Sequence, residues 1–152
     1  VRNINQIFFI LFFGINGFAS EKLQKCLDSS VFHEHRIEKE ENVMFCFDQV
    51  KNLIPKADCY FAIESHPNLI NTYRLKLFTH NICFYDSKPH ENLNTCLRDA
   101  ARFGSATEHD NALFHCYQIF QEKASRKECL TVAKKMKFPA KKNYLENHCL
   151  KN

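Results

Sequence analysis

Eight cysteines stand at positions 26, 46, 59, 83, 96, 116, 129 and 149, so the steps between them are 20, 13, 24, 13, 20, 13 and 20 residues. One pattern, C-x19-C-x12, therefore runs four times, with four extra residues in its second copy. A fixed period of this kind marks stacked supersecondary units, none of which buries its apolar face alone. The neighbours repeat with the cysteines. The first of each unit opens Cys26-Leu27, Cys59-Tyr60, Cys96-Leu97 or Cys129-Leu130, and the second Cys46-Phe47, Cys83-Phe84, Cys116-Tyr117 or Cys149-Leu150.

Apolar residues around the cysteines recur at helical spacing. Val43, Cys46, Phe47, Val50 and Leu53 share one face, as do Leu93, Cys96, Leu97 and Ala100, then Leu113, Cys116, Tyr117 and Phe120, then Cys129, Val132, Ala133 and Met136. Strand-type alternation appears nowhere over a useful length. Pro55 and Pro89 fall where a helix would begin, since the first turn does not need their missing N–H. Ser125 with Glu128 reads as a capping box, Gly104 and Ser105 separate two helices, Pro139 reads as the stop of the helix carrying Cys129, and Pro67 opens the longer connection of the second unit. The expected fold is all-α: about eight short antiparallel helices forming four tandem disulfide-stapled hairpins, with the third turn inside residues 104–110.

We expect pairing within each unit, Cys26 to Cys46, Cys59 to Cys83, Cys96 to Cys116 and Cys129 to Cys149, which leaves no orphan and gives every repeat the same staple. The rival scheme pairs across the x12 steps and requires Cys26 to meet Cys149. Both are geometrically open to a chain of helical hairpins, and spacing alone leaves 105 pairings of eight cysteines. Zinc ligation fits poorly, because structural zinc sites take ligands a few residues apart and the closest cysteines here are 13 apart.

Residues 1–19 carry one positive charge at Arg2, an apolar run over 7–13, and the small residues Gly17 and Ala19. These are the three regions of a secretory signal peptide, with cleavage expected after Ala19. The run is short of the roughly 20 apolar residues that span a bilayer, and no transmembrane segment is expected. Residues 20–152 would then form a single disulfide-rich repeat domain in a secreted, extracellular protein, where an even cysteine count reads as four disulfides.

A search for chemistry returns little. His33-Glu34-His35 lacks the H-E-x-x-H spacing of a zinc protease helix, so no metal site is expected, and no serine sits in a G-x-S-x-G elbow. Three glycines leave no phosphate-binding loop, and no N-x-S/T sequon is present. His80, His115 and His148 lie just before the second cysteine of their units, where packing beside the disulfide is their expected role. The positive charge gathers at Lys134, Lys135, Lys137, Lys141 and Lys142, read as a solvated helix face, and nucleic acid is not expected as a partner. The C-x3-C and C-x8-C steps of insect odorant-binding proteins are both missing. We expect no enzymatic activity and no cofactor.

Aromatic residues crowd the cysteines: Phe45, Phe47, Tyr60, Phe61, Phe84, Tyr85 and Tyr117 all lie within two residues of one. Phe45 and Phe47 cannot point the same way on a helix, nor can Phe84 and Tyr85, so these four are the candidate interaction residues. Exposed apolar side chains in a group mark partner or ligand sites. The functional expectation is an effector-like interaction protein that presents binding surfaces to an extracellular or host protein. The alternative is a carrier of small apolar ligands such as lipids or odorant-like molecules.

Overall fold

A computed structural model of the chain describes residues 4–151, with side chains from residue 17 onward. The secretory segment read from residues 1–19 lies mostly outside the described side chains. Among the described residues there are eight α-helices, one π-helical segment and no strand. All eight cysteines are in disulfides, pairing 26 with 46, 59 with 83, 96 with 116 and 129 with 149. Each bridge joins the two helices of one repeat, with Cα atoms 5.5–5.7 Å apart. Pairing within units is thus correct, and the x12 scheme is excluded. Four disulfides among eight cysteines with no free thiol point to an oxidising compartment.

The helices fall into two compact units, residues 1–89 and 90–152. In the first, α1 (Ile4–Ser30) pairs with α2 (Arg36–Asp48), α3 (Lys56–Ser65) packs against the π segment (Ile82–Asp86) that continues α4 (Tyr73–Asn81), and α4 itself packs against α2. Ala19, Leu23 and Leu27, spaced four apart, form the buried stripe of α1 and meet Val43, Phe47, Val50 and Ile54. The predicted stripe of α2 overreaches at one residue: Leu53 is half exposed and Ile54 is buried in its place. The helix ends at Asp48 and the chain leaves in turns, so a 3.6-residue period no longer governs which side faces in.

Within this unit, part of the second repeat's extra length is taken up by the connection 66–72 after Pro67. The π segment contributes as well, because an i→i−5 bond, made here by Ser87 N–H to Ile82 O at 2.9 Å, widens the turn. Lys56 closes the end of this segment. Its Nζ donates to Cys83 O (3.1 Å), Phe84 O (2.7 Å) and Ser87 Oγ (3.1 Å), satisfying carbonyls that a helix terminus leaves open.

In the second unit α5 (Leu93–Ala100) pairs with α6 (Ala106–Phe120), and α7 (Arg126–Lys135) with α8 (Pro139–Lys151). The stripes read around Cys96 and Cys129 are fully buried, and that around Cys116 is buried except for Phe120, which is only partly so. Ser125 and Glu128 form the expected capping box. A second box, Asn92 with Thr95, opens α5, so Pro89 lies three residues ahead of the cap rather than at the helix start. Ser105 caps α6 by accepting Glu108 N–H, which makes the third turn shorter than the 104–110 span expected. Pro139 opens α8 instead of stopping α7, which already ends at Lys135. Proline at the first helical position lacks only an N–H that would have no partner there.

Candidate interaction surfaces

The disulfides decide which aromatic of each pair turns outward. Cys46 faces the core from α2, and Phe47, on the same stripe, is 0% exposed, whereas Phe45 on the other side is 56% exposed. In the π segment Phe84 is 1% exposed and Tyr85 39%. Their rings meet edge to face with centroids 4.8 Å apart, and Lys56 Nζ stands 5.9 Å from the Phe84 centroid. On α3 the pattern repeats, with Tyr60 buried and Phe61 exposed. Three exposed rings of the first unit, Phe45, Phe61 and Tyr85, are therefore each within two residues of a half-cystine.

Histidines near the second cysteines pack against aromatic rings. His80 lies 6.0 Å from Tyr60, and His148 meets Tyr117 edge to face at 5.7 Å. Burial, with a smaller contribution from Tyr144, pushes the Tyr117 hydroxyl above its ordinary value. His33 and His35 lie in the connection between α1 and α2. Among the described residues no three His, Cys, Asp or Glu side chains converge to hold a metal, and no helix is long and apolar enough to cross a membrane.

In the second unit a groove of about 340 Å³ lies between α6 and α8, lined by Asn111, Phe114, Ala140, Lys141 and Tyr144. Phe114 and Tyr144 face each other with centroids 6.1 Å apart. The start of α8 is held by Asp110, a fully buried residue of α6. One oxygen of its carboxylate accepts Phe138 N–H at 2.8 Å, and both accept Lys137 N–H at 2.9 and 3.0 Å. Burial raises the affinity of this carboxyl for a proton, but those two amides and His109 Nδ1, 3.1 Å away, outweigh it and hold the group below the ordinary carboxylate value.

Of the lysines gathered near the C-terminus, Lys134, Lys135 and Lys137 are exposed and Lys141 reaches the groove. Neither Asp110 nor the groove is legible from the cysteine repeat. Phe114 does share the signal of the other aromatics, standing two residues before Cys116. No family model, curated protein or solved structure matches this chain.

Proposed function

We propose that this is a secreted, non-enzymatic interaction protein that presents aromatic side chains to an extracellular protein partner from a disulfide-fixed helical scaffold. The supporting observation is the exposure of Phe45, Phe61 and Tyr85 beside half-cystines whose other aromatic neighbours, Phe47, Tyr60 and Phe84, fill the core. Aromatic residues dominate protein–protein hot spots. Helices cross-linked one or two residues away hold such rings in place before the partner arrives, which lowers the ordering cost of binding. Tandem repeats also present extended faces more readily than they enclose cavities.

The test is affinity capture with the disulfide-intact chain and with the double substitution Phe45→Ser, Phe61→Ser, at two well-exposed positions. A partner retained by the natural chain should be lost from the variant, while the melting temperature changes by no more than about 2 °C, as for surface substitutions. Capture that is equal for both would remove these rings from the interface. One observation, the apolar groove between α6 and α8, favours the alternative of a small-ligand carrier.

A further inference from the structure

That groove carries an inference about ligand chemistry. It deepens the carrier reading and is independent of the protein-binding one, since it lies wholly in the second unit while Phe45 and Tyr85 belong to the first.

Most of the groove's lining is carbon, contributed by Phe114, Ala140 and Tyr144, with Tyr144 well exposed on its helix. Its polar edge is made by two side chains. Lys141 Nζ donates to Asn111 Oδ1, which holds the ammonium against the apolar lining. The partner of this cation is thus a neutral amide oxygen rather than a carboxylate. Two acidic groups of these helices are engaged by other partners: Asp110 by the Lys137 and Phe138 amides, and Glu146 by Lys142 at 4.0 Å. Lys137, exposed, adds a second positive charge just before α8. An ammonium has three donors, so Lys141 keeps two for a ligand while still bonded to Asn111.

We propose that this groove binds a small monocarboxylate with an apolar body, a medium-chain fatty acid in chemical terms. The chain lies against Phe114, Ala140 and Tyr144, and the carboxylate accepts from Lys141 Nζ and the Asn111 amide. A volume of about 340 Å³ is at the lower end of ligand pockets, which run from about 300 to 1,000 Å³. It suits one short chain.

Decanoate is the probe, titrated into the full disulfide-bonded chain by calorimetry and by amide NMR, beside 1-decanol and decyltrimethylammonium. The expected result is saturable decanoate binding with shifts confined to α6 and α8. Decanol should bind about tenfold more weakly, the value of one charge-assisted hydrogen bond, and the cationic amphiphile should not saturate. Lys141→Met should reduce decanoate to the level of decanol and leave decanol unchanged. Ala140→Trp, at an exposed position, should fill the groove and block both, with Tyr144→Ser as a second variant should the first fail to fold. The proposal is overturned if decanoate does not saturate below about 1 mM, a weak-ligand limit near 4 kcal/mol. It is equally overturned if decanol matches decanoate, if Lys141→Met changes nothing, or if a folded groove variant binds as the natural chain does.

Discussion

Asp110 and Phe138, 28 residues apart, are joined by a hydrogen bond of 2.8 Å in which the Phe138 backbone N–H donates to a fully buried carboxylate. Phe138 directly precedes α8, so a side chain of α6 holds the two residues that lead into that helix. The same carboxylate takes the Lys137 amide, and together these bonds fix where α8 starts and hence the wall of the groove that Ala140 and Lys141 form.

Removing that charge should destabilise the protein. Asp110→Asn keeps the shape but offers one neutral acceptor where two ionised oxygens stood, and we expect a loss of about 1–3 kcal/mol at pH 7. Because the folded group lies below its ordinary value, its contribution is complete above the unfolded carboxylate value of about 3.9. It is lost as pH falls through the lower folded value. Denaturant melts from pH 7 to pH 2 should therefore show a shallower acid decline for Asp110→Asn than for the natural chain. Parallel curves would mean that the carboxylate carries no charge-dependent stability.

The Lys56 ammonium should matter as a cap rather than as a surface charge. It donates to two carbonyls and one hydroxyl at the end of the π segment, and hydrogen bonds to charged groups are each worth about 1.5–3 kcal/mol. Lys56→Met retains the aliphatic stem against Phe84 and should still cost about 1–3 kcal/mol, read by chemical denaturation. Hydrogen exchange should increase first at residues 83–88. A loss of stability without that local signature would place the effect elsewhere.

The cysteine period was sufficient to read the four hairpins but not their pairing, because a half-cystine on each buried stripe has a helix neighbour on either side; giving every repeat the same staple favoured the scheme that the structure shows. Local capping was legible wherever the signal is a short-range pair, as at Ser125 and Glu128. Leu53 was misread because a helical period was carried past Asp48, where the helix had ended. Pro139 was misread because a proline between two helices is equally compatible with stopping one and starting the next. The wall Phe114 shares with Tyr144 depends on how α6 lies beside α8, and no spacing rule relates residues 30 apart on different repeats.

Peptide mapping under non-reducing conditions should recover Cys96 bound to Cys116 and no peptide joining Cys116 to Cys129. Replacing the Cys96 and Cys116 pair by alanine should lower stability by about 3 kcal/mol, the loop-closure value for a bridge of 20 residues. The helices it joins have 8 and 15 residues and are marginal on their own. Amide exchange in α5 should accordingly rise toward that of an unfolded chain. Unchanged protection in α5 would show that packing alone holds the hairpin.

Secretion makes a separate claim about α1. If processing follows Ala19, the mature chain begins at Ser20, whose hydroxyl donates to Asp58 on α3, and the remaining helix keeps Leu23, Cys26 and Leu27. Cleavage removes Ala19 from the buried stripe of α1 but leaves Leu23 and Leu27, both fully buried, and Cys26, bridged to Cys46, so we expect the rest of α1 to stay anchored. Intact-mass analysis of protein exported by a eukaryotic host should give a chain starting at Ser20 with all four disulfides. A chain expressed from Ser20 should reach the same disulfide map on oxidative refolding. Leu23→Ala in that shorter chain should cost about 2–5 kcal/mol, as for other large-to-small changes at buried leucines. A cost under about 1 kcal/mol, typical of surface positions, would mean that α1 docks through the segment ahead of Ser20 instead.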